Sequence, residues 1–376
     1  MSTPDDHQHD REVGSRDATR DTTLTDDTRI SAVRPLISPA LLLDQQPIPD
    51  AALSLVGHTR RAISEVLHGA DDRLLVVVGP CSIHDHNQAM QYAKRLRGLV
   101  DDLSADLILV MRVYFEKPRT TVGWKGYIND PRLDGSFHMN EGLRLARQLL
   151  LDISALGVPA GTEFLDLLSP QYIADLISWG AIGARTTESQ SHRQLASGLS
   201  CPVGFKNGTD GGVKVAADAV LAASAPHAFM GMTKMGQAAI FETRGNADCH
   251  IILRGGKQPN FDPASVAASY AALRAAGLHE QVMIDFSHAN SSKKYERQID
   301  VGADVAAQIV AGDFGIAGVM IESHLEAGRQ DLAAGQTKMD LKPGVSITDA
   351  CLSWSQTEPL LRTLASAVRT RRTLKS

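Results

Sequence analysis

The sequence predicts an α/β protein built as a (β/α)8 TIM barrel with an N-terminal extension and an inserted β-hairpin. The chain has 376 residues, of which 43% are hydrophobic and 22% charged, and this fits one large barrel with additions. Short apolar runs alternate with helical patterns, as expected for a parallel sheet. An open doubly wound sheet is the alternative, but no G-x-G-x-x-G motif follows the first run and no P-loop motif occurs.

The N-terminal part is predicted to lie outside the barrel. Residues 1–25 are rich in Asp, Thr and Arg and can bury little apolar surface, so we expect a disordered acidic tail. Residues 26–73 are the predicted extension, with a helix over 51–67, and residues 74–376 are the predicted barrel. The tail lacks the apolar stretch of a signal peptide, and the longest apolar runs are too short for a membrane span. We therefore expect a soluble, cytoplasmic protein.

Eight apolar runs are the predicted barrel strands. The first ends in Gly79-Pro80, and such a continuous apolar run is typical of a buried parallel strand. The predicted strands cover 74–78, 107–113, 158–161, 181–184, 203–205, 250–253, 282–286 and 316–321. The predicted helices between them cover 87–99, 142–151, 170–179, 213–224, 263–276 and 300–311. Eight such units favour a closed barrel over an open sheet.

Two segments interrupt this alternation. Residues 115–140 form a long, Gly-rich and charged loop after the second strand. Residues 227–243 contain two short runs around Lys234-Met235-Gly236, and this pattern predicts a β-hairpin between the fifth and sixth strands. Loops of this length usually have a functional or regulatory role, and we expect the same here.

An ionisable side chain stands at or just past the carboxyl end of every predicted strand. In strand order these residues are Cys81, Arg112, Glu163, Arg185, Lys206, Arg254, His288 and Glu322. The carboxyl ends of barrel strands surround one mouth, where active sites lie. Any one of these residues alone would be an ordinary loop residue. The complete set predicts an active site.

Four of the residues near this mouth suggest a metal site. Cys81, His288 and Glu322 offer a thiolate, an imidazole and a carboxylate, and Asp349 in the loop after the eighth strand adds a fourth ligand. Such a mixed set leaves a position for substrate. Taken singly, Cys81 is more often a small buried residue and His288 a core histidine, so spacing alone leaves both interpretations open. The predicted cofactor is one divalent ion, Mn²⁺, Fe²⁺, Co²⁺ or Zn²⁺, because all four accept these ligands.

Basic side chains concentrate at the same mouth, although the formal net charge of the chain is −5. The basic residues are Arg112, Lys117, Arg119, Arg185, Lys206 and Arg254. Arg presents a rigid fork to carboxylate and phosphate oxygens and Lys adds a point charge, so we expect a phosphorylated carboxylic acid as ligand. Thr120 adds a hydroxyl donor, and Glu163 is expected to orient or deprotonate water. The overall negative charge argues against non-specific binding of nucleic acid.

Seven blocks of the sequence stand in the order of one known enzyme family. They are GPCSIHD (79–85), MRVYFEKPRTTVGWK (111–125), GAIGARTTES (180–189), VGFKNGTDG (203–211), HIILRGGK (250–257), DFSHANSS (285–292) and SITDAC (346–351). The chain thereby resembles the microbial type I class of 3-deoxy-D-arabino-heptulosonate 7-phosphate (DAHP) synthases, from about Asp26 to Arg372. The resemblance implies a barrel enzyme that condenses phosphoenolpyruvate with erythrose 4-phosphate and releases phosphate, the first step of the shikimate pathway.

The resemblance also implies roles for individual residues. The implied metal ligands are Cys81, His288, Glu322 and Asp349. The implied phosphoenolpyruvate site consists of Arg112, Lys117, Arg185, Lys206 and Arg254, with Ala184 near the phosphate, and erythrose 4-phosphate is implied to bind Lys117, Pro118, Arg119 and Thr120. The implied catalytic residues are Lys117, Glu163, Lys206 and His288.

In this family the hairpin and the start of the chain form a pocket for an inhibitory aromatic amino acid. The matching residues here are Asp26, Asp27, Pro170, Gln171, Leu199, Ser200, Phe229 and Gly231. Glycine at 231 is expected to leave room for a ring hydroxyl, which favours tyrosine over phenylalanine. Phe241 departs from the smaller aliphatic residue common nearby and is expected to narrow the pocket. The acidic segment at Asp26 is implied to reach from a neighbouring subunit, which predicts a homo-oligomer, in this family a tetramer.

Two other functions are compatible with parts of the sequence. A sister enzyme condenses phosphoenolpyruvate with arabinose 5-phosphate and shares the barrel and the metal set, but the segment 117–120 favours the four-carbon sugar. A non-catalytic anion sensor would keep the basic pocket without needing four metal ligands. A comparison of the two sugar phosphates as substrates distinguishes the sister enzyme from the erythrose 4-phosphate enzyme. Phosphate release above background excludes the anion sensor.

Overall fold

The computed structural model describes residues 25–119, 123–333 and 336–374. The predicted disorder of the tail therefore falls almost wholly outside the described residues, and so does Thr120. The chain divides into two units, Met1–Leu36 and Ile37–Ser376. In the described part of the first unit, the Ile30 amide donates to the Asp27 carbonyl at 3.0 Å and closes a turn.

The second unit contains a closed barrel of eight parallel strands, which confirms the predicted fold class. The barrel strands are β1 (Leu74–Gly79), β2 (Leu107–Arg112), β3 (Ala160–Glu163), β4 (Trp179–Ile182), β5 (Val203–Lys206), β8 (Cys249–Leu253), β9 (Val282–Asp285) and β10 (Ile316–Glu322). They follow one another around the barrel in the order β1-β10-β9-β8-β5-β4-β3-β2.

Helices precede the barrel, connect its strands and follow the last one. They are α1 (Pro39–Gln45), α2 (Asp50–Leu67), α3 (His86–Asp102), α4 (Met139–Ala155), α5 (Pro170–Ile173), α6 (Gln190–Gly198), α7 (Lys214–Ser224), α8 (Pro263–Ala275), α9 (Gln298–Val310) and α10 (Trp354–Arg372). No helix within the described ranges is both long and apolar enough to cross a membrane.

The predicted hairpin is present between the fifth and sixth barrel strands. It consists of β6 (Ala228–Met232) and β7 (Ala238–Glu242), which pair antiparallel as a separate two-stranded sheet. The Thr233 amide donates to the Gln237 carbonyl at 2.8 Å and closes the turn. Both strands are partly exposed on both faces, so the hairpin projects from the barrel rather than extending its sheet.

The predicted helix over 170–179 is wrong in its second half. The α-helix ends at Ile173, a short 3₁₀ turn follows, and Trp179 already begins β4. The Trp179 indole is fully buried in the barrel and donates to Nε2 of His250 at 3.2 Å. Leu176 and Ile177 pack in the outer cluster, whereas Trp179 packs in the barrel interior. Apolar residues therefore continue from the helix into the strand, and their spacing resembles a helical repeat.

Strand side chains alternate between two packing layers, as the two-residue period of a strand requires. Leu74, Val76 and Val78 pack outward in the large cluster with the surrounding helices, whereas Leu75 and Val77 pack into the barrel interior. Side chains of α2 belong to the interior cluster, so α2 covers the amino-terminal ends of the strands. The opposite end, at the carboxyl ends of all eight strands, remains available for a site.

Candidate active site

A cavity of about 400 Å³ lies at the carboxyl ends of the barrel strands. Its walls carry eight Lys or Arg side chains but only three carboxylates, so it presents a concentration of positive charge within an acidic chain. The predicted residues that line it are Arg112, Lys117, Pro118, Arg119, Glu163, Ala184, Arg185, Lys206, Arg254, His288, Glu322 and Asp349. The structure therefore brings together almost the whole set of side chains that the strand ends predicted.

Arg112, the last residue of β2, is held rigidly in the floor of the cavity. Its guanidinium is buried and donates to the Pro80 carbonyl at 3.1 Å and to Glu322 Oε1 at 3.0 Å. The same group stacks on the Tyr114 ring, with 3.6 Å between its carbon and the ring centroid. The fork of an arginine reaches these partners from separate nitrogens while its flat face stacks on the ring, an arrangement that the single nitrogen of a lysine does not reproduce. Arg112 is thus fixed before any ligand arrives.

Lys117 contacts the thiol that follows β1. Its ammonium donates to Cys81 Sγ and to the Cys81 carbonyl, both at 3.1 Å. Burial acts to lower the pKa of Lys117, but the neighbouring Cys81 and Glu322 outweigh it and raise the pKa. Lys117 therefore remains a cation at neutral pH and can hold an anionic group or donate a proton.

Cys81, Glu322 and Asp349 form a cluster of potential metal ligands. One ligand atom from each lies within 4.8 Å of the other two. Burial and the Glu322 charge raise the pKa of the Cys81 thiol. Burial also acts to raise the pKa of the Asp349 carboxyl, but the charges of Lys117 and His288 hold it below its usual range. A sulfur and two oxygens around a common point suit a divalent transition metal.

The peptide of Glu322 is fixed by a buried amide on α9. The Gln298 side chain donates to the Glu322 carbonyl at 3.0 Å and accepts from the Glu322 amide at 2.9 Å. Such paired hydrogen bonds fix the end of β10 and hence the direction of the carboxylate. Nothing in the sequence had singled out Gln298, because its partner lies 24 residues away along the chain.

Lys206 and His288 line the cavity, and the buried Asp285 behind them completes a second polar group. The Lys206 ammonium donates to Asp285 Oδ2 at 2.8 Å and to Nε2 of His288 at 3.1 Å. Burial acts to raise the pKa of Asp285, but Lys206 and His288 outweigh it and hold the pKa well below its usual range. The three-residue ligand cluster does not include His288, whose predicted role as a metal ligand stays a prediction.

Glu163 lies against the backbone of Gly183. A Cβ atom on Gly183 would come within 2.3 Å of Glu163 Oε1, so only glycine leaves the carboxylate in this position. Glu163 is buried and lines the cavity at the end of β3. This close approach explains the glycine in the segment that leads from β4 to Ala184 and Arg185.

The remaining basic residues lie on loops at the rim. Arg119 donates through Nε to the Trp124 carbonyl at 2.7 Å, and Arg185 donates to the Pro118 carbonyl at 3.2 Å. The amide of Arg254 donates to Asn207 Oδ1 at 2.7 Å, which fixes the start of the loop after β8. These guanidinium groups retain unused donors for a ligand.

Sequence reasoning missed several residues of the cavity. Lys293 and Arg329 add two further cations to its lining, and Asp285 anchors Lys206. Asp285 could have been found, since it stands inside the DFSHANSS block at the end of a predicted strand. Lys293 and Arg329 lie on irregular loops, where residue spacing does not indicate which side chains reach the cavity.

The residues predicted for the effector pocket lie on three neighbouring elements and in the first unit. Pro170 and Gln171 are in α5, Leu199 and Ser200 follow α6, and Phe229 and Gly231 are in β6. Asp26 and Asp27 belong to the first unit. The hairpin turn contacts α5 through a hydrogen bond from the Lys234 ammonium to the Gln171 carbonyl. Ser197 Oγ of α6 lies 2.7 Å from Thr243 Oγ1, just past β7.

Phe241 occupies the space beside Gly231. The Phe229 and Phe241 rings stack across the hairpin with their centroids 6.0 Å apart. A Cβ atom on Gly231 would lie 2.7 Å from the nearest ring carbon of Phe241. The small residue at 231 therefore accommodates the large residue at 241 within the hairpin itself.

The fold and the cavity together define a class: a (β/α)8-barrel protein with a cationic cavity at its strand ends, beside a cluster of potential metal ligands. The sequence model of the DAHP synthetase I family matches residues 47–362. The Phe-sensitive phospho-2-dehydro-3-deoxyheptonate aldolase of Escherichia coli K12 is 60% identical over 347 residues, which cover 92% of this chain and 98% of that protein. The chain belongs to the DAHP synthetase I family.

Two further relatives agree with this family. The tyrosine-inhibited phospho-2-dehydro-3-deoxyheptonate aldolase of Schizosaccharomyces pombe is 54% identical over 92% of this chain and 94% of that protein. The solved structure of the Francisella tularensis SCHU S4 aldolase superposes with a TM-score of 0.88 and 50% identity, covering 91% of this chain and 99% of that one. The predicted enzyme class, a 3-deoxy-7-phosphoheptulonate synthase, is confirmed. The relatives named Phe-sensitive and tyrosine-inhibited are 60% and 54% identical to this chain, so overall identity alone gives no support to tyrosine as the effector.

Proposed function

We propose that this enzyme condenses phosphoenolpyruvate with D-erythrose 4-phosphate and water, giving 3-deoxy-D-arabino-heptulosonate 7-phosphate and phosphate. The observation that carries the proposal is the cationic cavity with three metal-ligand side chains at its floor. Both substrates are phosphorylated, and one is also a carboxylic acid, so the excess of Lys and Arg matches their combined charge. The reaction is the first step of the shikimate pathway, and we expect it in the cytoplasm.

One divalent metal ion fits the donor set. Cys81, Glu322 and Asp349 would hold it, with the His288 imidazole as the fourth ligand. When bound, the ion would act as a Lewis acid on the aldehyde carbonyl of erythrose 4-phosphate. The Lys117 ammonium, 3.1 Å from the Cys81 sulfur, supports this arrangement because it offsets part of the rise in the Cys81 pKa and so helps to form the thiolate that a metal requires.

Phosphoenolpyruvate is proposed to bind to rigid groups at the strand ends. Arg112 and Lys206 are already fixed by buried carboxylates, so little side-chain entropy is lost when the ligand binds. Arg185 and Arg254 would take its phosphate, next to the backbone at Ala184. Lys117, Pro118 and Arg119, with Thr120, would hold erythrose 4-phosphate.

The residues of this chain account for the proton and charge transfers. C3 of phosphoenolpyruvate forms the new carbon–carbon bond to the aldehyde carbon, and Lys117 supplies a proton to the resulting alkoxide. Water held by Glu163 and Lys206 adds to C2 and gives its proton to the Glu163 carboxylate. The C2 hydroxyl of the resulting hemiketal phosphate then loses its proton to the departing phosphate, so that the C2 keto group forms as the bond from C2 to the phosphate oxygen breaks. Arg185 and Arg254 stabilise the phosphate that leaves.

A comparison of sugar phosphates tests the substrate assignment. The wild-type enzyme, supplied with phosphoenolpyruvate and Mn²⁺, is assayed for phosphate release with either erythrose 4-phosphate or arabinose 5-phosphate. We expect release with the tetrose and little with the pentose. The reverse preference would favour the sister enzyme. An absence of release with both sugars, from folded protein with metal added, would favour an anion sensor.

We also propose feedback inhibition by an aromatic amino acid, with tyrosine favoured, in a homotetramer. An effector site is supported by two contacts of the hairpin segment, one between Lys234 and α5 and one between Thr243 and Ser197 of α6. The preference for tyrosine depends on Gly231. Phe241 already fills the space beside that glycine, so its ring must turn aside if the tyrosine hydroxyl is to enter there.

The effector proposal is tested with a pair of variants rather than with one. Gly231→Ser alone collides with the Phe241 ring, so its effect does not report on the hydroxyl alone. Phe241→Leu removes the ring, and we expect stronger inhibition by tyrosine. Gly231→Ser combined with Phe241→Leu is expected to shift the preference to phenylalanine. A double variant that still prefers tyrosine would contradict the argument from position 231.

A further inference from the structure

Glu116 is a buried acid that belongs to the substrate segment but does not line the cavity. It directly precedes Lys117, and only 3% of its surface is exposed. Its carboxylate oxygen Oε2 accepts a hydrogen bond from Ser169 Oγ at 2.8 Å. Ser169 stands at the start of α5, 53 residues further along the chain. The side chain therefore connects the loop after β2 with the segment between β3 and α5.

The loop after β2 doubles back on itself near Glu116. The Tyr127 amide donates to the Phe115 carbonyl at 2.6 Å, and the Lys117 amide donates to the Lys125 carbonyl at 2.9 Å. Gly126, with a φ of 122°, packs so closely that a Cβ atom there would lie 2.1 Å from the Phe115 carbonyl oxygen. Backbone contacts thus define the shape of this loop, and the Glu116 side chain ties it to the body of the barrel.

The charged groups around Glu116 do not compensate a negative charge. Within the described ranges Glu116 makes no ion pair, and the charges that act on it most strongly are the carboxylates of Asp166 and Glu163. The Lys117 ammonium points instead to Cys81, and Lys125 is exposed. Burial raises the pKa of Glu116 to about 7, although the Ser169 hydroxyl and a backbone hydrogen bond at Asp166 lower it.

We propose that Glu116 is a positioning residue for the condensation: through its hydrogen bond with Ser169 it holds Lys117, Pro118 and Arg119 in the position where they contact the sugar phosphate. The proposal rests on the proposed function of the cavity. Glu116 acts through its neighbours and touches no reacting atom. Its protonated form suits the site, because the carbonyl oxygen of a neutral carboxyl still accepts from Ser169 Oγ, and no buried negative charge is then left without a cation.

The direction of the pH effect follows from the raised pKa. In the unfolded chain the Glu116 carboxyl loses its proton at about pH 4.3, whereas in the folded enzyme the carboxyl stays protonated up to about pH 7. The neutral form stabilises the native loop, and this contribution falls as pH rises through that interval. Above neutral pH an ionised Glu116 faces Asp166 and Glu163, so the segment that carries Lys117 and Arg119 is expected to loosen.

The test compares the pH dependence of four proteins. They are the wild type, Glu116→Gln, Ser169→Ala and the control Ser178→Ala, which also loses a buried hydroxyl but one without a hydrogen-bond partner. Each is assayed for kcat and for the KM of both substrates between about pH 6 and pH 8.5. In the wild type we expect the KM for erythrose 4-phosphate to rise about fivefold across neutrality, while the KM for phosphoenolpyruvate changes little.

The variants are expected to give different profiles. Glu116→Gln should remove the rise near neutral pH, because its amide does not titrate. Ser169→Ala should move the rise to higher pH, because it removes a hydrogen bond that lowers the pKa of Glu116. Ser178→Ala should follow the wild type. If the KM for erythrose 4-phosphate depended on pH in the same way in Glu116→Gln and in the wild type, the proposal would be overturned, whatever the absolute activities.

A second measurement does not depend on turnover. Hydrogen exchange of residues 113–119 and 123–127, corrected for the intrinsic pH effect, should become faster above neutral pH in the wild type but not in Glu116→Gln. If the wild type released no phosphate from the two substrates, the proposed function would fail, yet this measurement would still decide whether Glu116 holds the loop. Identical exchange in both proteins would show that it does not.

Discussion

The substitution Gly183→Ala tests the placement of Glu163 without removing any functional group. A Cβ atom at 183 would lie 2.3 Å from Glu163 Oε1, and real contacts of this kind essentially never fall below 3.0 Å. The carboxylate must therefore move by at least about 0.7 Å, and misplacement on this scale lowers turnover by roughly tenfold to a hundredfold. The φ of Gly183 lies outside the left-handed region, so alanine adds no backbone strain.

The assay for this prediction is phosphate release at saturating concentrations of both substrates, together with thermal unfolding. We expect kcat to fall while the melting temperature stays close to that of the wild type, because the displaced atoms end a flexible side chain. Gly57→Ala is the matched control: it lies on α2 with open space around it, and it should keep full activity and gain about 0.5–1 kcal/mol of stability.

A double variant decides whether the effect passes through Glu163. In the Glu163→Ala background the carboxylate is absent, so Gly183→Ala should cause no further loss of kcat. Wild-type turnover in the single variant would refute the proposed role of Glu163 in holding water. An equal additional loss in the double variant would refute the steric explanation.

Three further perturbations follow from the same contacts. Arg112→Lys loses the stacking on Tyr114 and the separate nitrogens that reach the Pro80 carbonyl and Glu322, so we expect about 2–3 kcal/mol of lost transition-state binding, measured as a 30-fold or greater drop in kcat/KM for phosphoenolpyruvate; a drop of less than threefold would contradict this. Cys81→Ala should weaken Mn²⁺ binding by at least tenfold in a calorimetric titration while the far-UV circular dichroism is retained, and unchanged affinity would exclude the thiol as a ligand. Asp106→Asn should lower the free energy of unfolding by about 2 kcal/mol in denaturant titration, because the buried carboxylate accepts hydrogen bonds from Arg372 and Arg369 of α10. A change below about 0.5 kcal/mol would show that these ion pairs do not stabilise the fold.

The barrel was predictable because its signals are local. Each buried parallel strand is a short apolar run with turn residues at its end, and the alternation with helices leaves few topologies. Errors occurred where the run was too short to show a period. The four residues of β4 begin at Trp179, only two residues beyond a 3₁₀ turn, and neither a two-residue nor a 3.6-residue repeat can be recognised across that boundary.

The candidate site was predictable in composition but not in its contacts. That basic and acidic residues meet at one mouth follows from the parallel direction of the strands. Which partner each residue takes depends on side-chain rotamers and on register between distant segments. The pairs Lys206 with Asp285, and Glu116 with Ser169, join residues 79 and 53 positions apart, so no spacing rule could identify them.

The packing of Phe241 beside Gly231, in the proposed effector site, was predicted only in part. The size of Phe241 was apparent from the sequence, but its position was not. In an antiparallel hairpin the register decides which side chains meet, and here Phe241 pairs with Phe229 while its ring leans over Gly231. A sequence argument at position 231 alone therefore omits the residue that fills the space.

Metal-dependent phosphate release from the two proposed substrates tests the central claim most directly. The enzyme is treated with a chelator, freed of it, and assayed with phosphoenolpyruvate and erythrose 4-phosphate before and after addition of Mn²⁺. We predict no release from the metal-free enzyme, restored release with Mn²⁺, and no release when either substrate is omitted. Undiminished release from the metal-free enzyme, or none from folded enzyme with Mn²⁺ restored, would contradict the account.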